Sequence, residues 1–443
     1  MLCAVLAASA SATELKVRGN LDVYGMWSTN LKDHNSEVSD ADNYMTTQRM
    51  RTYFDYVADE NLKAVLGLEI DNVWGDNLDN VGGDWGTDGK GNIEVKHAYM
   101  DFTLPESQVN IKAGLQYVAL PSVFGNPVFE NDAAALVVSA PLTDMLGLAV
   151  GYSRGVDGSY NTASAESNSP LYGENKDDVD MAFLLAPIKL DGFAVSPYVA
   201  YAWLGQNTLH ADLDGDGVFD VMATDDATAL VFGANAELTM FDPLTFAADF
   251  IYGQSNWQYE DSDIDSDGWY AALAATYTFE KLNQLTATLF GTYATGFSDM
   301  SDDNLGVLPT LAEGWGLSPY IGGVRAFSTT YDSFATDTLG VGSDGTGLWT
   351  MGLVLDNISF VDKLSHTLVL AYAQGTSDED SIALFTEEDS GVEAYLVNKY
   401  MIYENLAAIN ELGYFSGSSE DLEDLDYDLD ASYFATLGFS YKF

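Results

Sequence analysis

Period-two alternation at both ends of the chain narrows the available folds more than any other feature. Counting back from Phe443 in steps of two gives Tyr441, Phe439, Leu437, Ala435 and Tyr433, with Lys442, Ser440, Gly438 and Thr436 between them. The opening segment "ELKVRGNLDVYGMW" behaves alike: Leu15, Val17, Leu21, Val23 and Trp27 fall on one face, and Lys16, Arg18, Asn20, Asp22 and Tyr24 on the other. Side chains that switch character at every residue describe a β-strand whose two faces meet different surroundings. The same pattern recurs in "SPYVAYAWLG", "NQLTATLFGTY" and "HTLVLAYAQ".

The connections alternate too. Short turns at 58–61, 104–107, 141–144, 189–192, 241–244, 280–283, 361–364 and 403–406 take turns with long Asp/Asn/Gly-rich segments. Those long segments lie at 30–43, 72–91, 154–178, 207–226, 260–266, 299–316, 379–390 and 418–430. Short connections on one rim and long ones on the other are the plan of an outer-membrane barrel. A soluble sandwich gives no reason for that asymmetry. No stretch after residue 12 approaches the roughly 18 to 20 apolar residues of a membrane helix, so a membrane would be crossed by strands. The expected fold is therefore all-β, a transmembrane antiparallel barrel with short periplasmic turns and long acidic extracellular loops. Unpaired strand edges cannot sit in hydrocarbon, so the barrel closes with an even number of strands.

The count is about 18, at 15–29, 44–58, 62–74, 92–104, 108–118, 133–142, 146–154, 178–189, 193–206, 226–240, 244–259, 267–280, 283–298, 347–360, 363–378, 391–403, 406–417 and 431–443. Within 299–346, "SPYIGGVRAFSTTYD" has the look of a strand but falls in a long loop or an extra hairpin, which leaves 16 or 20 open. Residues 1–12, an apolar run ending in Ala10-Ser11-Ala12, read as the tail of a secretory signal, and 13–443 as one domain. The single cysteine, Cys3, lies in that tail, so no disulfide or thiol chemistry is expected of the mature chain.

Charge excludes one class of partner. Lys+Arg total 17 against 68 Asp+Glu, a formal net charge of -51, and nucleic acid requires the basic footprint that is missing here. With 47% hydrophobic and 13% aromatic residues the chain is too apolar for disorder.

On these residues the chain resembles the trimeric general porins of Gram-negative outer membranes, and more narrowly the homotrimeric porins of sulfate-reducing bacteria. The resemblance is carried by "LGFSYKF", by "QRMRTYFDYVADENLKAVLGLEID" (48–71) and by "VKHAYMDFTLPESQVNIKAGLQYVALPSVFGNPVFENDAAALVVSAPL" (95–142). It implies a homotrimer in the bacterial outer membrane, in contact with its lipid and lipopolysaccharide. It also implies a terminal signal for the assembly machinery, here Phe439, Tyr441 and Phe443. By strand phase Lys16, Arg18, Arg49, Arg51, Lys63 and Lys112 point into the lumen. They resemble the basic wall of general porins, which faces an acidic third loop folded into the pore. That loop corresponds to 118–132, with Glu130 and Asp132 as its acids. Opposed charges across a water-filled neck order water and discriminate solutes. The plainer reading is that these cations balance lumen acids such as Asp22, Asp55, Glu69 and Asp71.

Two acidic stretches suggest calcium. "DLDGDGVFD" puts Asp212, Asp214 and Asp216 at positions 1, 3 and 5 of an EF-hand-like loop, the Val218 carbonyl at 7 and Asp220 at 9, with no Glu at 12. "DSDIDSDG" repeats the spacing with Asp263, Asp265 and Asp267. A solvated acidic face is the competing reading. No cofactor is required by any motif, and Ser365 beside His366 is adjacency without a triad, so an enzyme is not expected.

The expected function is passive diffusion of small hydrophilic solutes and ions through a water-filled channel, with cation preference from the net acidity. Two alternatives remain at this stage. One is a substrate-specific channel for sugars or organic anions, with Tyr24, Tyr53 or Tyr99 as a binding track. The other is a calcium-binding surface or structural barrel.

Overall fold

The computed structural model describes residues 13–31, 35–36, 42–75, 83, 85, 93–157, 178–205, 210–211, 221–222, 226–259, 262–299, 304–318, 320–321, 326–327, 345–383, 385–419 and 429–443. Its barrel strands are β1 (Glu14–Thr29), β2 (Asp42–Asp59), β3 (Leu62–Val73), β4 (Ile93–Thr103), β5 (Asn110–Ala119) and β6 (Glu130–Pro141). There follow β7 (Gly147–Val156), β8 (Val179–Leu185, resuming at Ile188–Leu190), β9 (Phe193–Leu204), β10 (Ala227–Phe241), β11 (Leu244–Tyr259) and β12 (Ser262–Phe279). The last six are β13 (Leu285–Ala294), β14 (Leu348–Val361), β15 (Leu364–Gly375), β16 (Ser390–Tyr403), β17 (Leu406–Ser418) and β18 (Ser432–Lys442). The two pieces of β8 both pair with β9 and make one stave, so the closed antiparallel barrel has 18 strands. The break falls at Ala186-Pro187, where proline has no N–H for the ladder.

Closure is direct. β1 pairs with β18 from Asn20↔Lys442 to Thr29↔Tyr433. Gly19 and Phe443 add a reciprocal pair of backbone bonds of 2.8 and 3.0 Å. No edge is left for lipid to meet.

The alternation read from the sequence sorts the two faces. Tyr24 and Met26 of β1 and Phe434 of β18 are buried in the lumen, whereas Leu15, Val17, Trp27, Leu437 and Phe439 stand outside on the same strands. Outward aromatics gather toward both rims: Tyr44, Trp74, Trp203 and Trp269 on the long-loop side, and Tyr400, Tyr403, Phe360 and Tyr441 on the short-turn side. An apolar wall between two aromatic girdles is the exterior of a barrel that spans a membrane.

Two stretches depart from the sequence expectation. The segment after β13 contributes no barrel strand among its described residues. Instead it folds into the lumen, where Leu308, Trp315, Tyr320, Ile321 and Phe327 are all buried. "DSDIDSDG" is not a loop: β12 begins at Ser262, so Asp263, Asp265 and Asp267 are alternate residues of a strand, opposite Gln258, Asn256 and Gln254 of β11. Alternate strand residues stand side by side on one face, about 7 Å apart, and cannot close around an ion as a loop does.

Candidate functional site

The lumen is crossed because β5 leaves its neighbour. The β4–β5 ladder ends at Ala98↔Leu115, although β4 continues against β3 to Ile93. Gly114, at φ +126, lies where this separation begins, and a Cβ there would come within 2.2 Å of the Ala98 carbonyl oxygen. Only glycine fits that approach. Beyond it the β5–β6 hairpin leans across the barrel, and its loop, 120–129, reaches the far wall. Asn126 Nδ2 donates to Tyr198 Oη on β9 (3.1 Å), and Val123 N donates to Asp249 on β11 (2.6 Å). Asn126 Oδ1 also accepts from Val128 N and Phe129 N, which sets the turn.

The 304–327 segment lies along this loop. Phe129 and Ala312 form a parallel bridge. Further bonds run from Gly314 N to Asn126 O (3.0 Å), Gly316 N to Phe124 O (2.9 Å) and Leu311 N to Val128 O (3.0 Å). Side chains then pin it to the wall. Trp315 Nε1 donates to Tyr270 Oη (3.1 Å), Ser318 Oγ to Glu393, and Ala326 N to Glu411 (2.8 Å). Tyr320 stacks on Phe415, and Phe327 on Tyr24 at 4.5 Å. Two inward segments thus fill the middle of the lumen as one body.

What they leave open lies along the wall of β1–β4. A chamber of about 440 Å³ is lined by Arg18, Arg51, Tyr53, Lys96, His97, Tyr99, Tyr117, Glu130, Asn131 and Asp132. It adjoins a second of about 510 Å³, lined by Arg18, Asn20, Asp22, Tyr53, Ala326, Ser440 and Lys442. Arg18 and Tyr53 line both.

The residues expected at a constriction divide. Arg18 and Arg51 line the first chamber; Lys16, Arg49, Lys63 and Lys112 are elsewhere on the same wall. Every one of them has a partner. Lys16 meets Glu14 (3.5 Å), Arg18 meets Asp55 (3.0 Å) over the Tyr53 ring, Arg49 meets Asp71 (2.6 Å), and Lys63 meets Asp101 (3.2 Å). Arg51 is bonded to Glu69, and Lys112 lies over Tyr99. Four of the six, Arg18, Arg49, Arg51 and Lys63, are thus paired with acids of the neighbouring strands. Glu130 and Asp132 belong to the first residues of β6, at the root of the inward loop, and not to its tip. Glu130 accepts from Tyr117 Oη and from Asn126 N.

Sequence reasoning missed the two groups that meet Asp132. Lys96 Nζ lies 2.6 Å from Asp132 Oδ2 and 3.7 Å from Glu69, and His97 Nε2 lies 2.9 Å from Asp132 Oδ1. Strict alternation allows only one of two consecutive residues to face the lumen. A register shift between Gly67 and Leu68 against β4 brings both inward. Such a bulge re-aims a side chain and gives no clear sequence signal. Tyr24, named as one end of a binding track, is covered by Phe327 and borders neither chamber; Tyr53 and Tyr99 do line one.

Of the acidic stretches, Asp212, Asp214, Asp216, Val218 and Asp220 lie outside the described residues. Asp263 and Asp267 bond to Gln258 and Asn304. Among the described residues a different trio converges, Asp299, Asp378 and Asp380, with oxygens within 4.8 Å of one another.

No protein-family profile matches the sequence, and no curated protein does. Solved structures match along nearly the whole chain. A BenF-like porin from Pseudomonas fluorescens Pf-5 is 11% identical, with TM-score 0.54, over 96% of this chain and 98% of that one. OccAB3 of Acinetobacter baumannii is 10% identical, with TM-score 0.53, over 97% and 99%. The outer-membrane protein OprD of Pseudomonas aeruginosa is 13% identical, with TM-score 0.50, over 98% and 96%. At such identities the likeness is one of fold. That fold, together with the apolar exterior, makes the chain a β-barrel of the bacterial outer membrane.

Proposed function

We propose that the chain is an outer-membrane channel through which small hydrophilic solutes and ions diffuse passively. The reading rests on one observation: two inward segments fill the lumen yet leave two neighbouring polar spaces beside β1 and β2 that share Arg18 and Tyr53 as lining. Solutes pass Lys96, His97 and the pair Glu130/Asp132, so the narrow part carries charge of both signs. There the opposed groups act as a local field across the path. Because the paired charges at the neck largely offset one another, the ion preference comes from the acidic surface of the chain. A net charge of -51 favours cations. The chain works as a homotrimer with one pore per protomer, in contact with lipid and lipopolysaccharide and inserted by the assembly machinery.

The deciding experiment is conductance of the purified protein in a planar bilayer under a KCl gradient. Stepwise openings with a cation-sign reversal potential are expected. An anion-sign reversal refutes the preference, and a silent bilayer with insertion verified refutes the channel.

A substrate-specific channel is the second reading, favoured by Tyr53, Tyr99 and Tyr117 in the same 440 Å³ chamber. Saturable conductance, blocked by one solute class, distinguishes it from a general pore.

A further inference from the structure

The outer wall of the barrel changes character toward the long loops of β9–β12. Two rows of outward residues run across these strands in register. One is Tyr201, Leu230, Gln254 and Asp267; the other, nearer the loops, is Trp203, Thr228, Asn256 and Asp265. Their strand neighbours Ala202, Ala229, Val231 and Ser266 are buried on the lumen side, so both rows face out. Among them lies a cavity of about 410 Å³, a volume usual for small-molecule sites, with Asn304 beside Asp267 at one edge.

Its height matters. Asp265 stands four residues beyond Trp269 on β12, about 13 Å of strand or about 10 Å of height at a tilt of about 40°. Trp269 belongs to the long-loop girdle, so the cavity lies outside the hydrocarbon, at the level of the outer-leaflet headgroups. In an outer membrane that layer is rich in sugars.

The open groups suit a ring of alcohols. Among the described residues, the Asp265 carboxylate, the Gln254 amide and Asn256 Nδ2 have no partner. By contrast, Asn256 Oδ1 accepts from Thr228 (2.8 Å), and Asp267 accepts from Asn304 and from Tyr252 (3.4 Å). A carboxylate beside amides can accept from and donate to neighbouring hydroxyls at once. Tyr201 adds a ring, set edge-on against Trp203 at 4.6 Å. The C–H edge of a sugar carries the partial positive charge that an aromatic face attracts.

Charge disfavours other ligands. No Lys, Arg or His lines the cavity, and its two carboxylates repel phosphate and carboxylate groups. Arg154 of β7, further along this rim, is spent on Asp157, Asp178 and Asp180. A calcium ion asks for six or more oxygens, whereas Asp265 and Asp267 stand about 7 Å apart on one strand.

We propose that this outward cavity binds a neutral saccharide, carried by an outer-leaflet glycolipid or by a free glycan, through Tyr201, Gln254, Asn256 and Asp265. The site requires the barrel to lie in an outer membrane and is independent of what passes through its lumen.

Equilibrium binding to the whole barrel in a sugar-free detergent tests it. The probes are maltose, the dephosphorylated and deacylated core oligosaccharide of lipopolysaccharide, and calcium chloride. Wild type is compared with Gln254→Ala/Asp265→Ala, at two exposed positions, with heat-dependent gel mobility and single-pore conductance expected unchanged. Saturable binding of a saccharide, one per protomer, is expected, and at least about tenfold weaker in the variant. Tyr201→Leu, which removes the ring alone, should also weaken it. Binding of the core oligosaccharide but not of maltose assigns the site to a glycolipid, and equal binding of both assigns it to a free glycan. Saccharide binding that both variants leave unchanged lies elsewhere on the protein and refutes the site. No binding of either saccharide refutes it as well, whether or not calcium binds.

Discussion

Replacing Asp132 by asparagine gives the sharpest test of the proposed passage, because it removes one charge and leaves the shape nearly unchanged. Asp132 sits between Lys96 and His97 on the wall of the 440 Å³ chamber. A space of that volume has an equivalent radius of about 5 Å, which puts a permeating ion about 6.5 Å from the carboxylate. At that distance a unit charge in water-like surroundings is worth about 0.6 kcal/mol. Its loss lowers cation occupancy about threefold and raises that of anions about threefold, so the cation-to-anion permeability ratio falls by roughly ninefold at low salt. At 0.1 M salt, screening over a Debye length of about 10 Å leaves roughly a threefold fall. Reversal potentials of single pores in KCl gradients, taken at both ionic strengths, give the two ratios directly. An unchanged ratio, or one that falls equally at both salt concentrations, refutes the idea that ions pass within reach of Asp132.

Three further outcomes follow from the packing. Glu411→Ala removes the acceptor shared by Tyr395, Ala326 N and Thr436, at a cost of about 3 kcal/mol. It should free the end of the lumen-filling segment, lower thermal stability in detergent and raise single-pore conductance. Gly125→Val forces a side chain at φ +86 to within 2.1 Å of the Gly314 carbonyl oxygen. It should separate the two inward segments, seen as larger and noisier openings, while Gly155→Ala, with no closer neighbour than 3.5 Å, should not. Deleting Phe443 removes both bonds to Gly19 at the seam, about 1 to 3 kcal/mol of ladder, and should lower the yield of heat-modifiable barrel in cells.

Much of the fold was legible because each strand carries its own evidence. Alternation is a local property, and all eighteen expected strands recur with boundaries shifted by a few residues. The largest shift is at β12, which begins at Ser262 and not at residue 267, so Asp263 and Asp265 stand on a strand where the sequence predicts a loop. The lumen face was legible for the same local reason, which put Arg18, Arg49 and Arg51 on the correct side. It failed at Lys96 and His97, where a bulge suspends the alternation.

By itself the sequence determined that the chain alternates, turns short and long by rotation, and has to close as a barrel, since each of these follows from neighbours a few residues apart. Which long connection enters the lumen, and which outward side chains find one another, was decided only in three dimensions. Ser318 meets Glu393 across 75 positions, Ala326 meets Glu411 across 85, and the Phe129–Ala312 bridge joins loops on opposite parts of the chain. Tyr201, Gln254, Asn256 and Asp265 are unremarkable singly and share one outward face only once the register aligns them. The physical reason is that a strand's facing is set by its backbone, whereas a buried polar group is satisfied by whatever the closed barrel brings within about 3 Å of it.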